Sequence, residues 1–216
     1  MDLRYIISQA PKFADALEMT VAIALLSMVA ALLWGLALIG PRMSSRIWLR
    51  APVGAYIELM RNTPLLLQIY VVYFGLPLIG VPLSGFLCGA IGIASQHGAF
   101  LAEIYRAGIE SVSQRQREAA KALGMTRLKS MRHVVLPQAL VKVSPMIGNQ
   151  LVILLKDTAV VSAIGVLELT LTAKLTIERS AASVEIFVLI AVLYLILTSL
   201  LGLAVRGLET WQRARF

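Results

Sequence analysis

Residues 114–137 read QRQREAAKALGMTRLKSMRHVVLP, a basic, helix-prone stretch set between long apolar runs. An ionised side chain at bilayer depth costs about 2.5–3.5 kcal/mol, so a segment this charged lies at a membrane face and does not cross it. Ser113 to Leu123 contains helix formers throughout, and Gly124 stands where a helix ending in the left-handed conformation wants glycine. Thr126 can cap a second short helix running through Met131 to Val135. Pro137 is expected to stop that helix and to open the next span. The stretch therefore reads as helix, sharp turn, helix across the membrane surface. Ala119, Ala120 and Ala122 carry little bulk, so a partner could approach closely. Glu118 offers a carboxylate, and Arg127, Lys129 and Arg132 offer positive charge. An amphipathic helix resting on anionic headgroups is the alternative reading of the same residues.

The rest of the chain sets the class. It is 58% apolar and 15% charged over 216 residues, with a mean hydropathy of +0.80. Soluble domains carry about a quarter charged residues. The expected fold class is thus an all-α integral membrane protein with about five transmembrane helices in a single domain, residues 1–216. The net charge of +8 does not point to nucleic acid, because the positive residues flank apolar runs as membrane topology requires. The single cysteine, Cys88, lies inside an apolar run, reads as a small buried hydrophobe and leaves no internal disulfide to form. No Cys/His cluster for a metal and no cofactor are expected. The first residues mix acidic and basic side chains without a cleavage pattern, so the first span itself is expected to direct insertion.

Five apolar runs cover about residues 19–39, 52–76, 83–109, 138–169 and 184–208. The first, at 1.5 Å per residue, reaches roughly 31 Å, the thickness of the hydrocarbon layer. Gly40 to Arg50 forms a basic loop, Pro77, Gly80 and Pro82 a tight turn, 110–137 the polar insertion, and 168–183 a mixed-charge loop. With the N-terminus outside, 15 Lys and Arg fall inside and only Arg4, Lys12, Lys174 and Arg179 outside. The positive-inside rule then selects an outer N-terminus, a cytoplasmic C-terminus and a cytoplasmic insertion.

Polar residues within the spans are the remaining signal, since such groups usually face a cavity or a partner. Lys156 and Asp157 sit within an apolar run, about 100° apart on a helix, so each needs its own partner. Either one faces a solute path or the two serve interhelical ion pairs. Asn149, seven residues earlier, shares a face with Lys156. Gln68, Gln96 and His97 complete the candidate pathway, although a lone buried His more often makes a hydrogen-bonded packing contact. Glu103 with Arg106, and Glu58 with Arg61, are spaced to pair on one helix face as structural contacts. Pro64 removes a backbone donor inside the second span; it marks either a hinge or a helix start.

Several stretches together resemble one family. Glu118-Ala119-Ala120, Gly124 three residues beyond Lys121, and Leu136-Pro137 after a basic stretch resemble the EAA loop of ATP-binding-cassette importer permeases of type I. ELMRNTPLLLQ (58–68), YFGLP (73–77), AFLAEIYRAGIESV (99–112) and LKDT (155–158) resemble, more narrowly, the polar amino acid permeases, among them histidine, glutamine and arginine importers. The resemblance runs through most of residues 56–170. Three places depart from the family pattern. Asn62 stands where glycine is common, Gln96 and His97 where small or short polar residues are common, and Ala159 where serine is usual.

The resemblance implies a non-catalytic permease subunit in a bacterial inner membrane. Glu118, Ala119, Ala120, Gly124 and Pro137 would form the coupling segment, docked on a cytoplasmic ATPase subunit. A second permease subunit, identical or paralogous, and an extracytoplasmic solute-binding protein would complete the assembly. The solute would be a polar amino acid or a derivative such as an opine. No phosphate-cradling G-x-x-x-x-G-K-[ST] sequence is present, so ATP hydrolysis is expected from another chain. The competing reading is an ATP-independent secondary transporter driven by protons at Lys156, Asp157 and His97; the lack of an internal repeat counts against it.

Overall fold

The computed structural model describes residues 3–178 and 183–215, with side chains placed for 9–178 and 184–211. Arg4, Arg179, Arg213 and Arg215, counted in the charge asymmetry, lie outside the described side chains. Every regular element among the described residues is helical: α1 Leu3–Arg42, α2 Ile47–Asn62, α3 Leu65–Leu78, α4 Gly85–Glu110, α5 Gln114–Ala122 and α6 Arg127–Ser130. A π-helical turn, Met131–Val135, leads into α7 Leu136–Asp157; a 3-10 turn, Thr158–Ile164, follows; then come α8 Leu169–Glu178 and α9 Ser183–Arg215. Four stretches are long and apolar enough to cross a bilayer, Gln9–Arg42, Gly85–Glu110, Arg127–Ile164 and Val184–Trp211. The remaining apolar run is divided between α2 and α3.

α4 is the axis of the bundle, and its glycines explain why. A Cβ on Gly92 would sit 2.7 Å from Ile69 of α3, one on Gly98 2.7 Å from Trp34 of α1, and one on Gly89 2.5 Å from Val161 of the 3-10 turn. A Cβ on Gly108 would run into Val143 of α7. Without a strong hydrophobic drive between helices in lipid, close backbone approach supplies the packing energy, and small residues permit it. Ile93 and Leu101 of α4, Ile23 of α1, Ile69 of α3 and Leu154 of α7 are completely buried around this axis. α9 is the opposite case. Val184, Val188, Leu195 and Leu203 lie mostly exposed along it. An apolar face of that length in the open belongs to lipid or to another protein.

Three sequence expectations change. Pro137 does not stop the preceding helix: Arg127 to Ile164 runs on without interruption. Proline lacks an N–H and clashes with the carbonyl four residues back. The π turn absorbs this by shifting the register, with Leu136 N–H donating to Met131 O. The segment after Glu168, expected as a loop, contains α8. The fourth run ends early, because Gly165 takes φ +80° and turns the chain. The expected turn after the second run does form, around Gly80, also at positive φ. Cys88 is buried, as a small hydrophobe would be.

Candidate functional site: a polar cluster inside the bundle and an exposed helix at its end

The second apolar run breaks where Thr63 and Pro64 are extended, with ψ of 145° and 135°. A helix end inside a membrane leaves carbonyls that nothing in lipid can satisfy. Side chains take them over. Asn62 Nδ2 donates to Glu58 O at 2.9 Å and Thr63 Oγ1 to Leu59 O at 2.8 Å. Gln68 Nε2 donates to Met60 O at 2.8 Å, and Gln96 Nε2 to Thr63 O at 2.9 Å and Met60 O at 3.2 Å. Two candidate pathway residues therefore spend their amide hydrogens holding the break between α2 and α3. Pro64 starts α3, its carbonyl accepting from Leu67 and Gln68 N–H. Gln68 Oε1 stays buried with no donor among the described residues.

One residue further along α4, His97 is 1% exposed. Its Nε2 lies 3.0 Å from Asp157 Oδ2, and Gln150 Nε2 lies 2.8 Å from its Nδ1. The amide donates, so Nδ1 accepts; the proton sits on Nε2 and points at the carboxylate. The imidazole thus orients Asp157, whose side chain keeps a third of its surface open. His97 is about 18 Å along α4 from Gly85, near mid-bilayer for a helix of this length. Lys156, its side chain on another face of α7, is exposed. Asn149 is exposed as well, and with Pro145 it lines two adjoining cavities of about 590 and 650 Å³, one toward α9 and one toward Arg61 and Phe100. The structure brings Gln68 to Gln96 and His97 to Asp157; it does not gather all six candidates into one pocket.

Ion pairs mark the end of α4. Glu103 meets Arg106 at 2.7 Å, as its spacing predicts, and also Arg42 of α1 at 2.8 Å. Glu58 and Arg61 do not pair: Glu58 turns to Asn62, and Arg61 lies 5.3 Å over the Phe100 ring. The cation takes the aromatic face and not the carboxylate one turn away.

Beyond Glu110 the chain leaves the bundle as α5. Its end is a Schellman motif: Met125 N–H bonds Ala120 O and Gly124 N–H bonds Lys121 O, both at 3.0 Å, with Gly124 at φ +75°. Thr126 Oγ1 accepts from Lys129 N–H and caps α6. Glu118, Ala119 and Ala122 are exposed, and Leu123 and Leu128 are each almost four-fifths exposed. Ala120 differs from expectation. It is 3% exposed and faces the bundle, so its small size serves internal packing and not an incoming surface.

Glu168 escaped the sequence reading. It lies past the span that ends at Ile164 and is completely buried. Its carboxylate caps α8, accepting from Thr170 and Leu171 N–H at 2.9 and 2.8 Å, and takes Tyr194 O–H of α9 at 2.9 Å. Burial pushes this carboxyl above its ordinary value; those same hydrogen bonds pull the other way. The neighbouring Leu169 N–H donates to Thr20 Oγ1 of α1 at 3.2 Å, so α8 is fastened to both α1 and α9.

Residues 25–214 match the family described as binding-protein-dependent transport system inner membrane component. The chain is 41% identical to the probable glutamine ABC transporter permease protein GlnM of Bacillus subtilis (strain 168), over 72% of each chain. It is 35% identical to the glutamine transport system permease protein GlnP of Escherichia coli (strain K12), over 92% of each. It is also 30% identical to the nopaline transport system permease protein NocM of Agrobacterium fabrum, over 98% of this chain and 92% of that one. Among solved structures, an amino acid ABC transporter crystallised with histidines superposes with a TM-score of 0.90 at 34% identity, covering 97% of this chain and 98% of that chain. With a break satisfied inside the bundle, an exposed helix at its end and these relatives, the chain belongs to the family of binding-protein-dependent transport system inner membrane components, the non-catalytic, multi-pass permease subunits of ATP-binding-cassette importers, which work with ATPase and binding-protein partners.

Proposed function

We propose that this chain forms the translocation pathway of an ATP-driven importer for a polar amino acid or an amino-acid derivative. The observation that carries this reading is the contact of His97 with Asp157, a polar bridge between α4 and α7 deep in an apolar bundle. Polar groups at such depth are expensive and persist where they line a path or bind a solute. The open third of Asp157 suits the ammonium group that every amino acid carries, and the unpartnered Gln68 Oε1 suits another donor. Asn149 lines the adjoining cavities, Gln96 contributes by holding the α2–α3 break, and Lys156 lies on another face of α7.

The whole chain acts as one membrane domain, with its N-terminus outside and its C-terminus and α5 in the cytoplasm. A second permease subunit, identical or paralogous, closes the pathway. The exposed face of α5, with Glu118, Ala119 and the turn at Gly124, docks on a cytoplasmic ATPase subunit, while Ala120 and Pro137 seat the segment on the bundle. A binding protein delivers solute from outside. ATP-driven closure of the ATPase pair brings the coupling segments together and moves the pathway from inward-facing to outward-facing. This requires the coupling segment to bind differently in the two states. The solute class supported best is the one carried in the names of the relatives, glutamine and opines such as nopaline.

The test is reconstitution. The chain, copurified with its ATPase and any second permease, is placed in liposomes with the binding protein outside and ATP inside. Uptake that requires ATP, is largest for one amino acid or opine of a panel, and is lost in Asp157→Asn is the expected result. Uptake by the chain alone without ATP overturns the reading.

A further inference from the structure

The end of α4 is held more firmly than a helix terminus requires. Ser111 Oγ donates to Gly108 O at 2.7 Å. Arg117, on α5, donates from its guanidinium to Ile109 O. Lys142, on α7, donates to Ser111 O at 2.8 Å. Two cations from two different helices thus close on carbonyls of one helix end, where the helix dipole also favours positive charge. Beneath them, Ile109, Val112, Val135 and Ala139 form a buried plug against Ile39 and Met131. Arg117 and Ala120 are three residues apart, on the face of α5 turned to the bundle; Glu118 and Ala119 are exposed on the other side. Inside α4, Gln96 holds the α2–α3 break and His97 holds Asp157.

We propose that Arg117 and Lys142 are positioning residues that lock the elbow between α4 and α5, so that a push on α5 is carried along α4 to Gln96 and His97. This rests on the reading of α5 as the ATPase-docking helix. Neither residue touches solute or the docking partner in this scheme. A hinge at residues 111–113 would let α5 swing without moving α4; the cations remove that freedom. A guanidinium and an ammonium both donate to a carbonyl, so lysine at position 117 can do the same work.

The test uses the full complex in nanodiscs, with wild type, Arg117→Ala, Arg117→Lys and Lys142→Ala. Spin labels at exposed Gln116 of α5, which has no part in the docking face, and exposed Ile91 of α4 report the elbow whether or not the ATPase is bound. A narrow distance distribution in wild type, broadened in Arg117→Ala and in Lys142→Ala and narrowed again in Arg117→Lys, is the expected result. An unchanged distribution in Arg117→Ala overturns the proposal, whatever the ATPase does. The second readout is solute-stimulated over solute-free ATPase activity. The lock predicts a loss of stimulation of at least about fivefold in Arg117→Ala, with the ATPase still bound and most of the stimulation restored in Arg117→Lys. A residue that merely stabilises the helix end would lower melting temperature and both activities together, with no rescue; that pattern also overturns it. If the spin labels behave as predicted but no ATPase binds, the lock stands and the assignment of α5 fails.

Discussion

His97 Nε2 stands 3.0 Å from Asp157 Oδ2 and joins the middle of α4 to the last turn of α7. Gln150, seven residues before Asp157, holds the other ring nitrogen. The imidazole donates one hydrogen to the carboxylate and leaves it oriented and partly open. The first prediction concerns this contact. Asp157→Asn preserves shape but removes the charge, and a hydrogen bond to a charged group is worth about 1.5–3 kcal/mol. Uptake should fall at least about tenfold on that basis, while ATPase copurification stays intact. Normal uptake by Asp157→Asn would remove the cluster from the pathway.

The break between α2 and α3 makes the second prediction. Gln96→Leu leaves Met60 O and Thr63 O to Gln68 alone and should cost about 1 kcal/mol. Adding Gln68→Leu orphans both carbonyls, so the double variant should cost more than the sum of the singles. Thermal unfolding in detergent measures both. Strict additivity would mean that water replaces the amides.

Close approach gives the third. Any side chain at Gly108 collides with Val143, and any at Gly148 with Val205. Gly108→Ala and Gly148→Ala should each destabilise by about 1–3 kcal/mol through overpacking. Gly202, with open space around it, is the control. Gly202→Ala should elute as a single folded peak, and the other two should lose yield or aggregate.

Glu168 supplies a pH dependence. Its folded carboxyl holds its proton to higher pH than the unfolded one does, because burial outweighs its hydrogen bonds. Such a group favours the fold fully below the ordinary carboxylate value of about 4.3, and this contribution declines as pH rises through the raised value. Wild type should therefore lose melting temperature across that window more steeply than Glu168→Gln, which cannot titrate. Parallel profiles would contradict it. Independently, Glu168→Ala should weaken α8, since losing a helix cap costs about 0.5–2 kcal/mol.

Much of this was legible in residue order, and for identifiable reasons. Gly124 and Thr126 act through local backbone geometry, which a short window contains in full, and both behave as their positions predict. Glu103 finds Arg106 because a helix brings the two together. What failed were pairings set by other elements. Arg61 goes to Phe100, 39 residues away in the chain. Gln150 was within reach, since the two-turn spacing that relates Asn149 to Lys156 also relates Gln150 to Asp157. Glu168 looked like one charge in a mixed loop. Its burial depends on Tyr194 and on α8, whose apolar face shows only once α1 and α9 are in place. Pro137 gave a strong local stop signal that a five-residue π turn overrode.

A photo-crosslinker at Ala119, on the exposed face of α5, should capture the ATPase subunit in native membranes, with a yield that changes between ATP-bound and nucleotide-free states. A crosslinker at buried Ala120 should capture it far less. If Ala119 never captures an ATPase, or if a membrane-impermeant thiol reagent labels Ala119→Cys from outside intact cells, the coupling role of α5 and the topology built on it are both wrong.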